Sequence, residues 1–182
     1  MLVKVINNSN NELPKYETSL SAGMDVRADF SKLSPENLLK AFGDVEVIYA
    51  GDNHSKTLVR MSPGARILVP TGLFMQLPDE SGFYRYECQV RPRSGLALKK
   101  GLTVLNTPGT LDADYRHELG VILINQGFED VWIEDGERIA QLVFNKVEVC
   151  EWNPVGTLNV TDRKGGFGSS NLDKNGNYVA NK

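Results

Sequence analysis

Apolar and polar residues alternate in short runs along nearly the whole chain. Such runs occupy Leu2–Ile6, Met24–Ala28, Val45–Tyr49, Thr57–Met61, Arg66–Pro70, Leu73–Leu77, Tyr84–Arg91, Leu102–Asn106, Leu119–Asn125, Val131–Ile133 and Arg138–Val149. Alternation with β-branched residues is the pattern of a strand that turns one face to a core. Short strands at this spacing predict an all-β sandwich, jelly roll or barrel rather than an α/β fold. Thr71-Gly72, Asn125-Gln126-Gly127 and Asp135-Gly136 are the expected turns between them. Only one stretch predicts a helix: Ser34 is suited to cap it, Pro35 to its first position, and Gly43 follows Phe42 as a stop. With the polar turn Gly51–Lys56, residues 31–61 read as a helix followed by a hairpin, an insertion in a β domain spanning 1–150. The tail, 151–182, is rich in Gly, Asn, Ser, Asp and Lys and is expected to be flexible.

Composition narrows the function classes. A chain of 182 residues suits one domain, and 41% hydrophobic with 24% charged residues is ordinary for a globular protein. The net charge of -3 argues against a sequence-independent grip on duplex nucleic acid, which needs many cationic contacts to phosphate. A local basic pocket for a small phosphorylated ligand stays compatible with it. No apolar run is long enough to span a membrane, and Met1–Asn7 turns polar too soon for a signal peptide, so a cytoplasmic protein is expected. Cys88 and Cys150 lie far apart in strand-like segments and read as reduced core thiols; His54 and His117 are too scattered for a zinc site.

Four segments depart from the strand pattern in ways that core packing does not demand. In Arg91–Ala97, Ser94-Gly95 lets backbone N–H groups converge on an anion and Arg93 adds a cationic fork, although an ordinary glycine turn explains the segment as simply. In Asn106–Arg116, strands flank a Pro-Gly turn and an Asp and a Tyr follow, Asp112 and Tyr115. A carboxylate there suits deprotonation of a water, Asn106 suits reading a base edge, and Tyr115 offers a flat ring. A hairpin with solvated acids accounts equally for Asp114. In Arg138–Phe144 the apolar residues belong to a core strand, whereas Arg138 and Gln141 need another reason. In Arg163–Ser170, Phe167 stands alone among glycines; it fits a flap laid on a base, and glycine-rich tails also occur without such a role.

Taken in order, these segments resemble the trimeric dUTP pyrophosphatase (dUTPase) family. Five motifs carry the resemblance: Ala22–Ala28, Pro92–Ala97, Gly109–Arg116, Arg138–Gln141 and the Gly-Phe-Gly-Ser run at 166–169. The resemblance implies a jelly-roll-like (β-clip) subunit that forms a homotrimer with active sites shared between chains, hydrolysing dUTP to dUMP and pyrophosphate with Mg²⁺. By position, Asp112 would be the general base on the attacking water. Asn106, Gly109, Thr110 and Leu111 would read uracil, and Tyr115 would pack against deoxyribose. Arg93, Ser94, Gly95 and Gln141 would hold the phosphates, with Asp25 near the metal through water. Arg163, Phe167, Gly168 and Ser169 would close the site from another subunit's tail.

Three features depart from the family pattern. His117 stands where a Gly is usual, the tail motif is one residue shorter between Arg163 and Phe167, and residues 31–61 are longer than the usual connection. The long segment is the expected place for a protein partner, if one binds. Two rivals remain: a dCTP deaminase, which shares the architecture, and a dUTP-binding regulator without turnover. Asp112, Tyr115, Gln141 and the tail together favour hydrolysis at phosphorus.

Overall fold

The structure, a computed structural model, describes residues 1–33, 40–50, 56–78 and 84–162. Its first unit, Met1–Val149, is built of strands: Lys4–Asn7 (β1), Met24–Arg27 (β2), Ala41–Phe42 (β3), Val45–Ala50 (β4), Lys56–Met61 (β5), Arg66–Gln76 (β6) and Tyr84–Pro92 (β7). A single helix among the described residues, Ser94–Lys100 (α1), follows. Leu102–Val104 (β8), Gly109–Asp112 (β9), Glu118–Asn125 (β10), Val131–Glu134 (β11) and Arg138–Glu148 (β12) complete it.

The strands form three antiparallel sheets. One runs β1-β6-β10-β8 with β3 also on β6, a second β11-β5-β4, and a third β2-β12-β7-β9. Period-two burial makes them a common core: β10 alternates half-buried and buried positions from Glu118 to Asn125. Phe30, Met61, Ile67, Leu123, Ile133, Ile139 and Leu142 are almost wholly removed from water. This is the all-β, jelly-roll-like arrangement that the alternation predicts.

Four expectations are corrected. Thr71-Gly72 is not a turn between strands, because β6 continues through it from Arg66 to Gln76. Gly72 takes φ 69°, and the carboxylate of Glu118 accepts the N–H groups of Thr71 (3.2 Å) and Gly72 (2.8 Å) where the β6–β10 register slips. A side chain thus satisfies the donors that the irregular ladder leaves over, and the strand need not end. The predicted helix does not reach Phe42, since Ala41 and Phe42 pair with Ile67 and Arg66 as strand; residues 34–39 lie outside the described residues.

The observed helix is instead α1, where the sequence suggested a turn after a strand. Leu96, Ala97, Leu98, Lys99 and Lys100 are good helix formers, Leu96 is buried, and Gly101 ends the helix at φ 65° with its N–H on Ala97 O. The expected hairpin is present as β4 and β5, paired from Val45↔Met61 to Ala50↔Lys56. It is no loose appendage: β5 also pairs with β11, and Val59 and Met61 are fully buried. In the second unit, Cys150–Lys182, the described residues 150–162 carry neither strand nor helix and are exposed; Cys150 is therefore not the core thiol expected of it, because β12 ends at Glu148. No helix among the described residues is long and apolar enough to cross a membrane.

Candidate active site

Cross-strand partners share a face, so register places the site residues of the third sheet. Asp25 lies opposite Gln141 and Gln141 opposite Arg91; farther along, Asn145 lies opposite Glu87 and Glu87 opposite Asp112. Cys88 and Val90 point into the core between them. Burial pushes the Cys88 thiol up to about 12, which keeps it neutral and unreactive. On the other face Arg91 donates to Gln89 Oε1 through Nε (3.0 Å) and Nη2 (2.7 Å), and Gln89 Nε2 donates to Glu87 Oε1 at 2.7 Å. Asp25, Gln141 and Asp112 therefore belong to one polar sheet face.

At one end of that face the charges converge. Asp25 Oδ2 lies 3.1 Å from Nε of Arg93 and 3.3 Å from Nη1 of Arg138. Arg93 Nη1 also donates to the carbonyl of Arg138 at 3.1 Å, and Glu17 stands 3.7 Å from Arg138 Nη1. Gln141 Nε2 donates to Pro92 O at 3.0 Å, fixing the amide beside the strand end. Gly23 leaves room for that amide, since a methyl at Gly23 would meet Oε1 of Gln141 and make it turn away. Arg138 was singled out in the sequence without a role; it is the second cation on Asp25, a pairing that only the β2–β12 register reveals.

Arg93 caps α1 in extended conformation (φ -85°, ψ 124°) with no side-chain cap bond, so Ser94 and Gly95 form its first turn. The first N–H groups of a helix have no partner within it. A methyl built at Gly95 meets nothing within 4 Å. Local packing therefore does not demand glycine here.

The β8–β9 connection makes the other part of the site. Val90, Asn106, Gly109, Thr110, Leu111, Tyr115, Leu119, Gly120 and Ile122 line a cleft of about 130 Å³. Pockets for whole drug-sized ligands hold about 300–1,000 Å³, so this cleft suits only a small group. Asn106 lies close under Gly109: a Cβ at Gly109 would come 3.0 Å from Asn106 Nδ2. Tyr115 is clipped at both ends, its N–H on Asp112 O (3.1 Å) and its hydroxyl on Glu118 O (3.0 Å). Asp112 ends β9 with its side chain exposed. Val90, Leu119, Gly120 and Ile122 were read in the sequence only as strand residues; Val90 enters the cleft opposite Gly109 across β7–β9, and the other three from β10, where the Ile122 carbonyl accepts the Leu105 N–H just past β8.

These two parts are distinct. Asp112 and Gln141 are separated by two strand spacings and four residues of β12, about 16 Å from strand geometry. The structure thus brings Asp25, Arg93, Ser94, Gly95 and Gln141 together, and separately Asn106, Gly109, Thr110, Leu111, Asp112 and Tyr115. Arg163, Phe167, Gly168 and Ser169 lie outside the described residues.

Among the described residues no group of three or more His, Cys, Asp and Glu could by itself hold a metal ion. Asp25 is already shared by two guanidinium groups. This donor set fits a magnesium ion that keeps its waters and takes its other ligands from phosphates, as Mg²⁺ commonly does, with Asp25 reaching it through water.

The fold and site define an all-β protein with a sheet end where Asp25 meets two arginines and, apart from it, a small cleft. A family model described as dUTPase matches residues 52–171. The chain is 46% identical to the deoxyuridine 5'-triphosphate nucleotidohydrolase of Fusobacterium nucleatum over 91% of this chain and 94% of that one. The protein of the same name from Cytophaga hutchinsonii is 43% identical, over 92% and 90%. In fold it is similar to the dUTPase of Staphylococcus bacteriophage 80alpha solved with dUpNHpp (TM-score 0.67, 20% identity, 93% and 98% covered). A phage phi11 dUTPase, described with a structural Mg(II) ion, is also similar (TM-score 0.63, 16% identity, 88% and 100% covered). The chain belongs to the dUTPase family, and it is an enzyme.

Proposed function

We propose that the chain hydrolyses dUTP to dUMP and pyrophosphate, with Asp112 as general base, in sites that join two or more copies of the chain. The observation that carries this reading is the separation of about 16 Å between Asp112 and Gln141 on one sheet face. A triphosphate cannot bridge that gap with its α-phosphorus at Asp112 and its outer phosphates at Arg93 and Gln141. The hairpin of one copy must meet the sheet end of another, and a homotrimer with three shared sites satisfies this.

Each part then has a task that its chemistry suits. The cleft takes the uracil and the sugar: Asn106 and the β8–β9 backbone pair with the base edge, and Tyr115 packs on deoxyribose. Cytosine would present a donor where uracil presents an acceptor, leaving site groups unpaired. Thymine adds a methyl to a cleft that is already small. Arg93, Ser94, Gly95 and Gln141 hold the phosphate chain; the open space over Gly95 lets a phosphate oxygen approach the first N–H groups of α1. Asp112, exposed at the end of β9, orients a water toward the α-phosphorus and takes its proton. Asp25 would hold Mg²⁺ through water beside the phosphates, and the ion would supply positive charge against theirs. The tail residues Arg163, Phe167, Gly168 and Ser169 cover the occupied site.

The test is pyrophosphate release from dUTP, with dTTP, dCTP and UTP in parallel, with and without Mg²⁺. Metal-dependent release from dUTP alone is expected. Ammonia release from dCTP, or dUTP binding without turnover, would overturn the reading.

A further inference from the structure

His117 has no task in the chemistry above, yet it touches the residue that lines the sugar side of the cleft. Its ring meets the ring of Tyr115 edge-on, with centroids 5.6 Å apart and planes at 71°. That is the favoured geometry of an aromatic pair. Both residues are exposed, so no core packing brings the rings together.

The rest of the loop explains why such a contact matters. Residues 112–118 are held by their own short bonds: Tyr115 N–H to Asp112 O, Arg116 Nη1 to the carbonyls of Ala113 (2.7 Å) and Tyr115 (3.0 Å), and Tyr115 hydroxyl to Glu118 O. Glu118 in turn is pinned to β6 through the N–H groups of Thr71 and Gly72. The backbone of Tyr115 and its hydroxyl are thereby fixed, at two ends of the side chain. These bonds leave the ring plane free to rock about the axis that joins them. The T-shaped contact with the His117 ring is the one ring contact among the described residues that bears on that rocking.

We infer that His117 is a positioning residue that sets the plane of the Tyr115 ring and so sharpens the discrimination between deoxyribose and ribose. The inference rests on the proposed packing of Tyr115 against the sugar. A ring that rocks makes a softer wall, and a 2′-hydroxyl is rejected only by a wall that does not yield. His117 does not reach the reacting atoms, so the chemical step is left as it is.

The experiment compares the parent, His117→Ala and His117→Phe for kcat and KM on dUTP and on UTP, with a thermal melt of each. An aromatic edge contact corresponds to about a two- to tenfold effect on binding. His117→Ala is expected to raise KM for dUTP and lower the preference for dUTP over UTP by such a factor, with kcat on dUTP within twofold and the melting temperature unchanged. His117→Phe, which keeps a ring edge, is expected to restore both KM and preference. Unchanged KM and preference in His117→Ala would overturn the inference, as would a Phe variant no better than Ala. A parent that does not hydrolyse dUTP, or that does not distinguish UTP, would instead overturn the reading of the cleft on which the inference rests.

Discussion

Single side chains carry two separate jobs, and each has a measurable signature. Asp112 is exposed at a strand end and contributes no core contact, so Asp112→Asn is expected to leave folding and nucleotide binding intact. Turnover is expected to fall by about 10²–10⁴-fold, the range of a general base; parent-like release of pyrophosphate from this variant would remove Asp112 from that role. Arg60 does the opposite work, since it binds Asp44, Glu46 and Asp130 and joins the start of β4, the end of β5 and the approach to β11. The Arg60 guanidinium and the Ser62 hydroxyl hold the Asp44 carboxyl below its usual value. A carboxyl depressed in the folded state adds stability above its unfolded pKa of about 3.9, and that stability is lost as pH falls through the folded value. Urea midpoints of the parent and Asp44→Asn are therefore expected to differ at pH 7 and to converge as acid is added below about pH 4. Midpoints that stay apart in acid would show that the pair does not set the difference.

At the scale of elements, the irregularity in β6 is the feature that most rewards a test. Gly72 has positive φ, and a methyl there would lie 2.6 Å from Ser9 N and 2.8 Å from Asp29 Oδ2. Gly72→Ala is expected to cost about 1–3 kcal/mol in denaturant unfolding, through strain and overpacking together. A loss below a few tenths would mean that the loop carrying Ser9 simply moves aside. This bulge also marks the limit of what was legible in the chain. Period-two alternation located most strands, because burial of one face writes that period directly into residue type. It misplaced Thr71-Gly72 as a turn, because the compensating acceptor, Glu118, is remote in sequence. It missed β3, two exposed residues with no pattern to read, and it missed α1, whose seven residues bury only Leu96. The site was legible as motifs, but the pairing of Asp25 with both Arg93 and Arg138 was not, since register alone brings those charges together. The hairpin at 45–61 is likewise more than an added loop. Any test of a protein partner there is better made by exposed-face substitutions than by deletion, which would remove β4 and β5 together with the buried Val59 and Met61.

At the scale of the molecule, the two half-sites make a prediction that a self-contained site would not. On the proposed reading Arg93→Gln weakens the phosphate grip of a chain and Asp112→Asn removes its base, so each homomer is expected to be nearly inactive. When the two variants are unfolded together and refolded, a site with the Asp112 of one chain and the Arg93 of the other is whole. Activity well above the sum of the two is expected, and none is expected when the variants are refolded apart and then mixed without exchange. Failure to recover activity in mixed assemblies of confirmed composition would place both halves of each site in one chain.

The empty space above Gly95 has a consequence for how this protein tolerates change. Within the chain a methyl there touches nothing, and alanine is worth about 0.5–1 kcal/mol more than glycine inside a helix. Gly95→Ala should therefore survive any selection for soluble, folded protein, and even do slightly better than the parent. In a selection for dUTP removal the same change should be among the first lost. A library scored both ways would pick out Gly95 as a residue retained against the interest of its own helix.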